Sequence, residues 1–167
     1  MKITSILFFL FIFYSCQNLG SFSNSSSPSL KNKIEIIYSF QDASVPPEDH
    51  RSYSIILSDI NYRFVVDSYG EIIKDTTIIL LNQNKKIRQT LKAFKKYQIK
   101  KVKRSKTHNG CSGGNGEGIT IIKKGELHFK GSNYYCGGQT EGDLSGNTKL
   151  FLKELKKEIN PSVFKYN

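Results

Sequence analysis

Apolar and polar residues alternate over much of residues 34–80, which is the signature of half-buried strands. Ile34-Glu35-Ile36-Ile37-Tyr38-Ser39-Phe40 has strand composition with partial alternation. Pro46-Pro47 interrupts the chain between Asp42 and Asp49, because proline cannot continue a central strand. From Arg51 to Ser58 alternation resumes, with Tyr53, Ile55 and Leu57 on one face. Tyr62 to Val66 reads as a third strand. Asp67-Ser68-Tyr69-Gly70 then reads as a turn, with Gly70 free to take positive φ, and Ile72 and Ile73 follow. Connections this short predict an antiparallel meander.

The period then changes from two to between three and four. Ile87, Leu91 and Phe94 share one helical face, so a helix is expected over about 83–97 with Asn82 as its cap. Gln98 to Lys103 is expected as a strand, with Ile99 and Val102 as its apolar positions. A glycine-rich segment, His108 to Gly118, reads as turn chemistry with positive φ at several glycines. Two strands, Ile119–Ile122 and Glu126–Phe129, are joined by a turn through Lys124-Gly125. Tyr134-Tyr135-Cys136 belongs to a further short strand. The glycines at 137, 138, 142 and 146 read as loop. Asn147 is the expected cap of a last helix with the apolar stripe Phe151, Leu155 and Ile159, stopped by Pro161. The predicted fold class is α+β: one antiparallel sheet of about five to seven strands with two helices packed on it.

The N-terminus has a different character. Lys2 is followed by an apolar run, Ile6 to Tyr14, of signal-peptide length and too short to span a bilayer core comfortably. Ser15-Cys16 ends the run, and the chain turns polar at once. A small residue directly before a cysteine at this place resembles the lipobox of bacterial lipoproteins, although Phe13 stands where leucine is commonest. The resemblance implies cleavage before Cys16, diacylglycerol on its sulfur and attachment to a bacterial membrane, on its periplasmic or surface face. Residues 17–32 contain six serines, a glycine and a proline, the composition of a flexible tether. The expected organisation is therefore a signal peptide at 1–15, a tether at 16–32 and one domain at 33–167.

The chain has 3 cysteines. With Cys16 lipidated, Cys111 and Cys136 remain as a natural disulfide pair in an exported compartment. His108 with Cys111, and His128 with Cys136, nominally offer two nitrogens and two sulfurs to zinc, but the second spacing is unlike that of zinc sites. No metal or other cofactor is assigned.

Ser44-Val45-Pro46-Pro47, His50-Arg51-Ser52-Tyr53, Val65 to Gly70, Cys111 to Glu117, Cys136-Gly137-Gly138 and Asn147 together resemble a family of small, uncharacterised bacterial lipoproteins. The likeness implies an exported lipoprotein and no particular reaction, and it carries no catalytic residue to this chain.

Charge supplies the strongest signal outside the leader. The 167 residues carry a formal net charge of +11. From Lys85 to Lys106 there are eleven Lys or Arg and no acid. Lys85, Lys86, Arg88, Lys92, Lys95, Lys96, Lys100, Lys101, Lys103 and Arg104 form a candidate patch for an anionic envelope surface or an acidic protein. Nucleic acid is not expected, because export removes the protein from it and aromatic residues do not interleave the cations. His50, Arg51 and Asp67 form a second candidate polar site. A histidine between carboxylates can act as a base, whereas an Arg51 ion pair fixing the corner is the structural alternative. The glycine-rich segment lacks the following helix and the lysine of a phosphate loop. The expectation is a non-catalytic binding or structural module of the cell envelope. The rival expectation is an inhibitor or immunity protein against a periplasmic or secreted hydrolase.

Overall fold

The computed structural model describes residues 33–103, 113–157 and 159–165. Cys16, the expected tether, Arg104, His108 and Cys111 lie outside the described residues. In order, the chain forms β1 (Ile34–Gln41), β2 (Ser52–Ser58), β3 (Tyr62–Ser68), β4 (Glu71–Ile78), α1 (Gln83–Lys96), β5 (Lys100–Lys101), β6 (Asn115–Lys123), β7 (Glu126–Cys136), β8 (Gln139–Gly142), β9 (Leu144–Ser145) and α2 (Thr148–Lys156). A 3-10 turn follows at Pro161–Phe164. No helix among the described residues is long and apolar enough to cross a membrane.

Seven strands make one antiparallel sheet in the order β4-β3-β2-β1-β6-β7-β8. The first four strands form the expected meander. The chain then crosses over through α1, and β6 pairs with β1 on its free edge, which makes β1 central.

Register follows from the period of two. Ile36 lies opposite Leu57 and Ile121, Tyr38 opposite Ile55 and Ile119, and Phe64 opposite Ile55. All of these are buried. A slip of one residue would turn the whole set to the other face. Ile87, Ala93, Phe151, Leu155 and Ile159 belong to the same core, so both helices cover this face.

Several elements differ from the sequence expectation, each for a local reason. Asn82 precedes α1 but its side chain makes no capping bond. Gln83 holds that end instead: its Oε1 accepts from Leu80 N at 3.2 Å and its Nε2 donates to Ser58 O at 2.7 Å. The expected Gln98–Lys103 strand shrinks to β5, which pairs with β9 outside the main sheet. Gln98 is consumed by the end of α1. It sits at φ 55, Ile99 N donates to Phe94 O and Gln98 N to Lys95 O. These are the two bonds of a Schellman stop, usually built on glycine.

β6 and β7 are longer than expected. Asn115 to Gly118 belong to β6 rather than to a loop, and Gly137 (φ 57) and Gly138 (φ 78) form the tight turn into β8. Of the glycines at 113, 114, 116 and 118, only Gly113 has positive φ. α2 begins as expected, with Asn147 Oδ1 accepting from Leu150 N at 3.0 Å. It ends at Lys156, so Ile159 packs from beyond the helix, and Pro161 opens the 3-10 turn. That turn delivers Phe164 edge-on to Phe64, centroids 5.2 Å apart.

Candidate functional site

The sequence candidates divide between the two ends of the sheet. His50, Arg51 and Asp67 meet at the end where β1 finishes and β3 turns into β4. His50 is buried and its ring stacks on Tyr69 at 4.0 Å. Its Nδ1 accepts from Tyr69 N at 3.3 Å, so the neutral ring carries its proton on Nε2, 3.3 Å from Ser52 Oγ. Asp67 turns its carboxylate away to Gly70 N at 3.1 Å. Arg51 donates through its guanidinium to His50 O at 2.7 Å.

The carboxylate that organises this corner is Asp42, which the sequence reading did not select. It accepts from Ala43 N and Arg51 N, both at 2.9 Å. Ser68 Oγ and the Tyr69 hydroxyl donate to Pro47 O and Val45 O, closing the corner. The Pro46-Pro47 loop is thereby clasped to the β3–β4 turn. His50 serves that clasp, while Asp67, opposite Ser52 in the register, gives its bond to Gly70 N within the turn.

A second polar cluster, also unselected, lies under the start of α2. Glu117 accepts from the hydroxyls of Tyr38 (3.1 Å), Tyr135 and Thr148 (2.9 Å). Burial pushes the Tyr38 phenol well above its ordinary range, and the neighbouring Tyr53 and Glu117 add to the shift. Glu117 therefore joins β1, β6, β7 and α2 through neutral donors. Its signal in the sequence is faint, a single acid inside the glycine-rich run.

On the opposite face of the sheet, Gly116 and Gly118 leave β6 without side chains. They floor a groove of about 360 Å3 lined by Ser39, Gln41, Ser132 and Tyr134. A Cβ on Gly118 would meet Ser39 Oγ at 2.8 Å, so a side chain there would make the serine hydroxyl swing aside. Both glycines lie within strand β6 and not in a turn leading to a helix, unlike those of a phosphate loop.

The basic segment resolves into distinct parts. Lys85, Arg88, Lys92, Lys95 and Lys96 are exposed on α1. At 3.6 residues per turn, all five fall within an arc of about 100° over a length of about 16 Å. Lys86 does not belong to this surface. It is only 4% exposed, and its ammonium donates to Glu154 O at 2.8 Å and Lys157 O at 2.7 Å. It lies about 100° from Lys85 around the helix, on the buried side, where it satisfies carbonyls at the end of α2. Lys101 is also committed, to Asp143 at 2.8 Å. Lys100 and Lys103 are exposed beyond the helix.

The nominal zinc set does not assemble from its second half. His128 and Cys136 stand eight residues apart on one continuous strand, about 26 Å at strand rise.

No protein-family model, no curated protein and no solved structure matches the chain.

Proposed function

We propose that the protein is a lipid-anchored lipoprotein of the bacterial cell envelope whose domain is a non-catalytic binding module that presents a basic face to an anionic surface. The observation that carries this reading is the α1 ridge, with five exposed cations on one arc. A ridge of this kind attracts anionic headgroups or glycans, and the attraction fades with salt over about 8 Å at physiological ionic strength. The apolar run ending in Ser15-Cys16 supports the anchor. The groove floored by Gly116 and Gly118 is the surface such a module would offer a second partner.

A disulfide between Cys111 and Cys136 belongs to the same proposal. Gly114, three residues beyond Cys111, lies so close to Cys136 that a Cβ there would come within 2.7 Å of the cysteine Cβ. The cross-link would close the glycine-rich segment onto the end of β7 and stabilise the fold by roughly 3–4 kcal/mol.

The test uses the processed chain, residues 16–167 with Cys16→Ser, and vesicles with and without phosphatidylglycerol. Binding should need the anionic lipid, weaken with salt and fall about tenfold or more in the triple variant Lys85→Gln, Lys92→Gln, Lys95→Gln. Equal binding to neutral vesicles, or no loss in the variant, would refute the basic-face reading.

A further inference from the structure

The antiparallel register gathers one set of turns at a single end of the sheet. β1 starts there opposite the end of β2, β3 starts opposite the end of β4, and β6 ends opposite the start of β7. The bond from Gln83 to Ser58 O draws the start of α1 to the same end. Lys33 lies here too, so this is where residues 16–32 join the domain.

Two kinds of side chain crowd this end. Leu81 is fully exposed, Ile79 is 81% exposed, Leu127 63% and Ile60 60%. Single exposed apolar residues are ordinary, and Tyr69, Ile72 and Ile73 are exposed at the opposite end as well; what sets this end apart is that Ile60, Ile79, Leu81 and Leu127 share it with a cluster of cations. Beside them, Lys33, Arg88, Lys123 and Lys124 border a hollow of about 430 Å3 with Ile34 and Ile87 on its wall. The acids on the same turns are Asp59 and Glu126, both exposed, so the local balance stays positive.

The backbone fixes this hollow. Lys124 N donates to Lys33 O at 2.7 Å, which ties the β6–β7 turn to the point where the chain enters the domain. Lys124 (φ 54) and Gly125 (φ 83) both take the left-handed region in that turn. Asn-Gly fits such a turn best, whereas a lysine there carries strain of about 1 kcal/mol. The turn thus holds a cation over the hollow at a position its backbone geometry disfavours.

We infer that this end of the sheet is a bilayer-docking face, its apolar tips entering the headgroup layer and its four-cation hollow taking the phosphate of an anionic lipid. The inference rests on the anchored reading above, because acylation of Cys16 would hold the point where the chain enters the domain within reach of the bilayer, about 22 Å for a flexible linker of this length. An acidic protein surface matches the cations alone. The bilayer interface matches the cations and the apolar tips together. The His50 corner and the glycine-floored groove lie at the other end of the strands, about 25 Å away, facing out from the membrane.

The processed chain with Cys16→Ser tests this without an acyl chain. On phosphatidylglycerol vesicles, the double variant Ile79→Ser, Leu81→Ser should bind about tenfold more weakly, although both side chains are exposed and the fold should be unaffected. Lys124→Asn should bind about fivefold more weakly while its thermal midpoint holds or rises, since Asn relieves the turn. Affinities equal to the unsubstituted chain, or binding to polyglutamate with none to these vesicles, would overturn the docking face. Acylation of Cys16 is read separately in the full chain. An acylated protein whose vesicle binding falls in the α1 triple variant but not in the Ile79→Ser, Leu81→Ser variant refutes the docking face alone, and one that docks without acylation refutes the anchor alone.

Discussion

Lys86 of α1 donates to Glu154 O at 2.8 Å, so one helix closes the C-terminal end of the other. The same ammonium reaches Lys157 O. A run of eleven basic residues therefore contains one whose work is internal. Replacing Lys86 with Met keeps the apolar stem but removes the ammonium from Lys157 O and leaves Glu154 O with the Lys157 N–H alone. The expected cost is about 2–3 kcal/mol in a urea titration, with little change in vesicle binding. Lys85→Met, one residue away and exposed, should stay within about 0.5 kcal/mol of the parent and weaken vesicle binding. Equal stability of the two variants would remove the distinction.

Gln98 ends α1 in the left-handed region without being a glycine. Gln98→Gly keeps both bonds of the stop and removes the Cβ conflict. It should raise stability by about 0.5–1 kcal/mol, measured as an increase in the urea midpoint. A loss of stability would mean that the Gln98 side chain makes a contribution the backbone geometry does not reveal.

Asp143 ties β5 and β9 to β7. A hydrogen bond from Lys101 holds its carboxyl below the usual range; burial opposes this, and the Ser132 N–H and the Lys101 charge add to the lowering. A carboxyl depressed in the folded state stabilises it above its ordinary pKa of about 4 and loses that contribution as pH falls through the lowered value. The unsubstituted protein should thus weaken on acidification below about pH 4. Asp143→Asn should be less stable at neutral pH and show a shallower decline with acid. Parallel curves for the two proteins would contradict the assignment. The exposure of the pair keeps the effect modest.

Peptide mapping of the exported protein without reductant should yield one fragment joining Cys111 to Cys136. Two alkylatable thiols would reject the cross-link.

The sheet was legible in the sequence because its core rows obey a strict alternation. Ile36 and Tyr38, Ile55 and Leu57, Ile119 and Ile121 each sit two apart, and burial of one face leaves little choice of register. The α1 face was only partly legible. Ile87, Leu91 and Phe94 gave its apolar edge, but Thr90 and Lys86 are buried with it, and residue type alone does not show that a lysine stem will be covered. β8 escaped notice because Gly137-Gly138 in a glycine-rich stretch looks the same whether it makes a hairpin or a loop. The sequence pointed to His50, Arg51 and Asp67 at this corner but not to Asp42, whose carboxylate accepts from Ala43 N and Arg51 N. Asp42 lies ten residues from Ser52, and only the folded loop brings them together. The docking end was least visible. Its residues come from three connections, the chain entry, the N-terminal part of α1 and the start of β7, and nothing local in the sequence says that these share one end of the sheet.

The lipid anchor rests on Cys16. The direct measurement is metabolic labelling with radioactive palmitate of the full chain expressed in a bacterium, beside the Cys16→Ser variant. The expected result is a labelled, membrane-associated protein that loses its label and accumulates as a slower-processed precursor when Cys16 is replaced. Equal labelling of the two proteins, or an unlabelled parent chain recovered in soluble form, would contradict it.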